Sequence, residues 1–362
     1  MALGAVAEPP VRRRGSDYAQ LSRRISQAGL LERRPGWYVT RIVLTLGAFV
    51  AGWVAVFLLG DSWWQLPLAA LMAVATTQVA FLGHDAGHRQ MFRRRGPSEL
   101  VGLFAGNVAV GISYGWWVDK HNRHHANPNH EDEDPDVGAG ALVWTPEQAL
   151  ETRGINRWLA KRQAYLFFPM LLLEGLSLHV ASIRAIIGRE DGKYTVPMRH
   201  RAVEAALLVV HTAAYAALLL AVMSPVKALL FAVVHQALWG LYMGCAFAPN
   251  HKGMPMPTAE DELDYLRKQV LTSRNVRGSR LVDTTLGGLN YQIEHHLFPN
   301  MPRANLRRAQ PIVRAYCVEQ GIPYAETGLV ESYRQALGHL HEVGRPLRLA
   351  LIHISEPTRR VV

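Results

Sequence analysis

Seven of the 16 histidines fall into three short clusters. His84 and His88 form H-x-x-x-H in HDAGH, and His121, His124 and His125 form H-x-x-H-H in HNRHH. Gln292, His295 and His296 form Q-x-x-H-H in QIEHH. Spacings of three and four place side chains on one face of a helix, so each cluster can present convergent imidazoles to a metal. At this histidine frequency H-x-x-x-H is expected by chance on the order of 0.7 times, and H-x-x-H-H only about 0.03 times. A zinc protease would carry glutamate in H-E-x-x-H where Asp85 stands. Seven clustered imidazoles also exceed the three or four ligands of one zinc site, so two metals fit better. Imidazole suits Zn, Cu, Fe and Ni alike, and redox iron makes sense of such a site beside a membrane. Single histidines such as His200 and His339 suit a surface or core role.

The elements that would position these clusters emerge from windows rather than averages. The 362 residues are 49% hydrophobic and 19% charged, with a mean hydropathy of +0.02. That composition excludes a disordered polymer, a collagen and a disulfide-stapled miniprotein. Cys245 and Cys317 match no paired-cysteine metal spacing. Residues 42–60, 62–83, 205–226 and 228–249 contain no charge, and single residues, Asp61 and Lys227, separate the members of each pair. A hydrocarbon core about 30 Å thick needs roughly 20 apolar residues in a helix. The pattern predicts two antiparallel membrane hairpins. Residues 100–118 and 165–187 are interrupted by polar residues, glycines or Pro169 and suit interfacial or re-entrant segments. Of 39 Lys and Arg only Lys227 lies in a hairpin turn, where it can snorkel. Cations favour the cytoplasmic side, so both termini and all three clusters are expected there. The +10 formal charge then serves orientation and the anionic bilayer surface rather than nucleic acid. Residues 1–41 hold eight arginines and no signal-peptide pattern, which suggests a basic cytoplasmic arm or surface helix.

HDAGH, HNRHH and QIEHH, in this order around two hydrophobic hairpins, resemble the boxes of the histidine-box membrane fatty acid desaturases. The flanking text HNRHHANPNHEDEDPD and NYQIEHHLFPNMPR is similar as well, and the resemblance covers about residues 38–325. The glutamine opening the third box resembles the acyl-lipid and front-end branch. The resemblance implies an all-α integral membrane protein with four transmembrane helices in two hairpins and a cytoplasmic helical cap. The cap would carry a non-haem di-iron site that uses O2 and two electrons to insert a double bond into an acyl chain. The iron ligands it implies are His84, His88, His121, His124, His125, His295 and His296. It also implies a histidine outside the boxes, for which His251 in APNHKGMP is the candidate. Gln292 is read as a weak ligand or a support. Asp85, Asp134, Asp136 and Glu294 are available to orient imidazoles through their second nitrogen.

Hydrogen abstraction from an unactivated methylene lies beyond acid–base or nucleophilic side chains, which agrees with a redox metal. The domain reading is a basic arm (1–41), one desaturase domain (42–325), a C-terminal cytoplasmic helix or tail (326–348) and an unassigned segment (349–362) of foreign appearance. An acyl tunnel lined from 100–118 and 165–187 is expected, with Trp116 and Trp117 suited to its mouth and His179 to its wall. His211 and His235 lie in spans at depths of about 9 and 21 Å, which argues against a haem held between them and for inter-helix hydrogen bonds or tunnel lining. No G-x-G-x-x-G fold, cysteine cluster or haem-binding segment is evident, so a separate electron donor is expected, ferredoxin or a small haem protein with its reductase. Both acyl-CoA and membrane lipid suit a basic face as substrate. An acyl hydroxylase or ketolase on the same scaffold is an alternative. A metal transporter is another, although its ligands should lie near the bilayer midplane.

Overall fold

A computed structural model describes residues 16–188 and 198–349. The chain begins with α1 (Asp17–Gln27), which Ser16 caps by accepting from the Ala19 N–H. Then come α2 (Pro35–Leu59) and α3 (Gln65–Gly87), joined by a turn in which Gly60 takes φ +61°. Two bent helix pairs follow, α4 (Arg95–Leu103) with α5 (Tyr114–Ala126), and, after the short α6 (Pro146–Glu151), α7 (Gly154–Leu171) with α8 (Glu174–Ile186). The second hairpin is α9 (Arg201–Val222) and α10 (Pro225–His251). Beyond it lie α11 (Tyr265–Leu271), β1 (Asn275–Arg277), α12 (Arg280–Thr285), α13 (Gln292–Leu297), α14 (Arg303–Glu319), β2 (Glu326–Gly328) and α15 (Leu329–Val343).

Among the described residues, α2, α3, α9 and α10 are long and apolar enough to cross a membrane. Each matches one charge-free window of the sequence but is offset from it. α3 and α10 run on through His84 and His251, because helical hydrogen bonding does not stop where apolar character does. The first and last histidine-bearing turns of the spans therefore belong to the rigid helices themselves. At the opposite end the two turns meet. Asp61 accepts from the Ser224 N–H at 2.9 Å and pairs with Lys227 at 3.1 Å. Lys227 thus answers a carboxylate as well as stacking on Trp63.

The expected interfacial segments are both sharply bent. α4 continues into a π-helical stretch, Phe104–Val110, and turns at Gly111, φ +85°, so that α5 leaves at 110°. Glu204, buried in the first turn of α9, holds this corner. It accepts from Ser113 Oγ (2.6 Å), the Gly115 N–H (3.0 Å) and Asn107 Nδ2 (3.3 Å). Shared acceptance by one carboxylate satisfies the Gly115 N–H and two polar side chains that a break in apolar surroundings would leave unpaired. α7 and α8 meet at 85°.

α3 and α10 pack on one another and carry the central core, with Met72, Val79, Phe231 and Trp239 among its buried members. α9 exposes most of its surface and docks through polar contacts. His211 Nδ1 reaches the Val108 carbonyl at 2.8 Å, and the Tyr215 hydroxyl reaches His235 Nδ1 at 3.0 Å. His235 Nε2 in turn lies 3.0 Å from Thr76 Oγ1. The inter-helix reading of these two intramembrane histidines is the one the contacts describe. Outside the spans, α1 and α14 share a core of Leu21, Ile25, Val313 and Tyr316, β1 pairs in parallel with β2, and α15 lies on α7 and α10. The segment 350–362, which holds nearly all of the unassigned tail, lies outside the described residues.

α8 approaches α10 at Gly175 and Gly240, where a Cβ on Gly240 would strike the Gly175 nitrogen and meet the Leu171 carbonyl oxygen at 2.9 Å. Overpacking against backbone costs on the order of 1–3 kcal/mol. Gly240→Ala should therefore lower the melting temperature in detergent, followed by tryptophan fluorescence, whereas Gly47→Ala, which meets no neighbour, should not.

Candidate metal centre

The last turn of α3 supplies His84, with His88 as its C-cap residue, α5 supplies His121, His124 and His125, the end of α10 supplies His251, and α13 supplies His295 and His296. Three of these elements are anchored in or beside the spans, and the bend at Gly111 carries α5 alongside α3. All eight histidines come together. Ligand atoms of His84, His88, His121 and His295 form one group with all separations within 4.8 Å, and those of His124, His251 and His296 form a second. His125 stands between them: its Nε2 is 3.2 Å from His121 Nε2, and its ring stacks on His296 with centroids 4.1 Å apart.

Nitrogens face nitrogens throughout. His88 Nε2 lies 2.9 Å from His121 Nε2, and His251 Nε2 lies 3.1 Å from His296 Nε2. His84 Nε2, His295 Nε2 and His125 Nδ1 are buried without a hydrogen-bond partner among the described residues. Burial, reinforced by repulsion from neighbouring imidazoles, holds His121, His125, His295 and His296 well below the ordinary histidine range. Neutral rings with converging lone pairs and orphaned nitrogens are a donor set that fits metal binding.

Second nitrogens are fixed from outside the cluster. His124 Nδ1 donates to Asp134 at 2.9 Å, His251 Nδ1 to the Thr272 carbonyl at 3.0 Å, and His296 Nδ1 to Gln269 Oε1 at 3.0 Å. Such partners set the tautomer and leave Nε2 free to ligate. Burial works against protonation of His124, but Asp134 and Asp136 outweigh it and raise its pKa. Asp134 also accepts from the Asn129 N–H at 2.7 Å, in a turn where Asn129 takes φ +57°.

Each of the other nominated residues has a definite place. Asp85 lies 3.4 Å from His84 Nδ1 and is paired with Arg303. Asp136 lies 3.6 Å from His124 and is paired with Lys120. Glu294 touches no imidazole: it accepts from Asn275 Nδ2 and the Tyr324 hydroxyl, both at 2.7 Å, and burial pushes it up to about 7. Its role is to hold α13 against β1. The Gln292 amide lies 2.8 Å from His251 Nε2, on the ligating side of the second group. Trp117 stacks on His121 with centroids 4.5 Å apart, while Trp116 is buried near Ala185. His179 bridges the Gly111 carbonyl and Gln236.

A cavity of about 940 Å³ lies against His88. It takes Leu103, Tyr114 and Val118 from the first bent segment, and its lining includes neither Trp116, Trp117 nor His179. The sequence did not single out Gln269, Thr272, Asn275, Arg303 or Tyr324. Only Arg303 had a signal, since it ends the NMPR text beside the third cluster.

Four apolar spans that end in two groups of buried imidazoles define a membrane-bound polyhistidine metalloprotein. The chain belongs to the fatty acid desaturase family, whose model matches residues 61–328, and is an oxidoreductase of that type. It is 28% identical over 339 residues to the Delta(6)-fatty-acid desaturase fat-3 of Caenorhabditis elegans, covering 91% of this chain and 75% of that protein. The Delta(5) fatty acid desaturase fat-4 of the same organism is 30% identical over 313 residues, 85% of this chain and 69% of its own length. The Delta(8)-fatty-acid desaturase of Euglena gracilis is 30% identical over 317 residues, 85% and 74% respectively.

Two groups of ligands predict about two metal ions per chain, since three or four ligands suffice for one. His295→Ala should reduce the first group and His251→Ala the second, each leaving about one ion by mass spectrometry of the purified protein; an unchanged content in both would remove the assignment. Acid should also unfold the metal-free protein. Below about pH 6.5 the unfolded chain binds protons that the buried imidazoles refuse, so stability is complete above that value and falls as pH decreases. A chelator-treated sample melting at a higher temperature near pH 5.5 than near pH 8 would contradict the neutral cluster.

Proposed function

We propose that the protein desaturates a membrane-associated acyl chain, bound as acyl-CoA or acyl-lipid, at a di-iron centre held by His84, His88, His121, His124, His125, His251, His295 and His296. The observation that carries this reading is the convergence of eight imidazoles, two groups with His125 between them, at one end of a four-span bundle. Two irons bound there would supply the oxidising power to remove two hydrogens from adjacent carbons, with O2 and two electrons consumed. The chain's own residues do the rest. Asp134, the Thr272 carbonyl and Gln269 orient ligating rings, and Gln292, whose Nε2 faces His251 Nε2 while its Oε1 accepts from Asn250, supports the second group or, with its amide turned, serves as a weak ligand. Neutral imidazoles leave the cationic charge of the metals uncompensated, unlike the carboxylates of other iron sites, which favours a strongly oxidising centre. Spans α3 and α10 exclude water from one side of the site, and the cavity beside His88 gives an acyl chain a way in.

The clusters occupy the ends of α3 and α10 rather than their middles, which supports catalysis at a cap over transport through the bilayer. The concentration of Lys and Arg outside the far turns supports a cytoplasmic location for the boxes and both ends of the chain. Two electrons then come from a separate carrier, a ferredoxin or a small haem protein with its reductase.

Expression in a host with a compatible reductase, followed by mass-spectrometric location of double bonds, tests the reading. A new double bond should appear, with about two irons in the purified protein, and both should be lost or reduced in His124→Ala. A silent lipid profile together with zinc in place of iron would overturn it.

A further inference from the structure

The last turn of α10 carries His251 and is not closed by its own helix. Pro249 has no N–H, so the Cys245 carbonyl four residues earlier loses its helical donor. The Tyr333 hydroxyl of α15 donates to that carbonyl instead, at 2.6 Å. The carbonyls at the very end have no further turn to donate to them. Arg274 takes three of these. Its Nε and Nη2 donate to the Pro249 carbonyl at 2.9 and 2.7 Å, and Nη2 also reaches the Lys252 carbonyl at 2.8 Å. Its own N–H donates to the Asn250 carbonyl at 2.8 Å.

Arg274 is wholly buried, and the acceptors of its guanidinium are all neutral. A buried cation is tolerated there because the open end of α10 concentrates negative partial charge. The rest of the fork reaches α15. Nη1 donates to Gln335 Oε1 at 2.5 Å and Nη2 to the Ser332 carbonyl at 3.3 Å. Gln335 is held in turn by Nε2, which donates to Glu331 at 2.7 Å. Just past His251 the chain presses on the same helix, since a Cβ on Gly253 would come within 2.9 Å of the Gln335 carbonyl oxygen. The His251 ring is fixed by the same segment as its backbone, through the Thr272 carbonyl two residues before Arg274. α15 begins at Leu329, beyond the residues 61–328 that the family model matches.

We propose that Arg274 is a positioning residue for His251, and that α15, through Gln335 and Tyr333, is a working part of the second metal group. A planar fork with five donors can span Pro249, Lys252 and Gln335 together, whereas the single nitrogen of a lysine cannot. Without the clamp the last turn of α10 is free to open and carry His251 away from His124 and His296. The first group, held by α3, α5 and α13, does not depend on it. The inference rests on the reading of the eight histidines as a metal centre and is independent of the substrate.

Iron affinity and Mössbauer spectra of the purified full chain test it. His251→Ala identifies the spectral component that belongs to the second group. Arg274→Lys and Gln335→Met should weaken that ion about tenfold in competition with a chelator, the scale of a lost outer contact to a ligand. Its quadrupole splitting should shift while the other component keeps its spectrum and affinity. Gln335→Glu, which preserves an acceptor for Arg274, should restore wild-type affinity. Should Arg274→Lys fail to fold, the two Gln335 variants decide the matter. A merely structural role would lower the melting temperature and loosen both ions in parallel, and that result would overturn the proposal. So would wild-type affinity and spectrum in Gln335→Met together with Arg274→Lys. A wild-type chain that holds fewer than two ions would sink the metal-centre reading, and this inference with it.

Discussion

Buried imidazoles whose ligating nitrogens face one another impose the constraint on which this structure depends. A chain of Nε2 atoms runs from His88 through His121 to His125 at 2.9 and 3.2 Å, and His251 and His296 repeat the contact at 3.1 Å. Protons could satisfy only some of these pairs, and burial opposes adding the charge. A cation shared among neutral rings satisfies all of them at once. The hydrogen bonds from His124, His251 and His296 to Asp134, Thr272 and Gln269 follow from the same requirement, since a ring that donates through Nδ1 is committed to offering Nε2 as a base.

The spans exist to hold this cluster rigid. α3 and α10 pack closely and end in His84 and His251, so the distance between two ligand-bearing elements is fixed by helix packing rather than by loops. α5 arrives by a corner, and that corner depends on Glu204 satisfying Ser113, Gly115 and Asn107. In hydrocarbon the apolar surfaces of helices gain little from meeting, so polar contacts and close-packed glycines specify the arrangement. The His211–Val108, Tyr215–His235–Thr76 and Asp61–Ser224–Lys227 contacts, with Gly175 against Gly240, are those devices here.

Much of this was legible in the sequence because its signals are local. A charge-free run about as long as a bilayer is thick announces a span, and helical spacing announces a ligand face. His251 was reached through its position at the end of the fourth span together with the family resemblance. What escaped were residues whose role is set by tertiary contact. Gln269 sits in the short helix α11 and Thr272 caps it, and nothing local marks them as partners of His296 and His251. Glu294 lies inside a histidine box, yet its carboxylate faces Asn275 and Tyr324, because helical spacing turns it about 100° from His295 and nearly opposite His296. Lys227 read as a snorkelling cation because Asp61, its partner, belongs to the other hairpin.

Mössbauer spectroscopy of protein purified from cells fed the appropriate iron isotope measures the central claim most directly. The arrangement of His84, His88, His121 and His295 beside His124, His251 and His296, with His125 between, predicts two iron environments in equal amounts in the same molecule. A single environment with one iron per chain, or full occupancy by zinc, would contradict it.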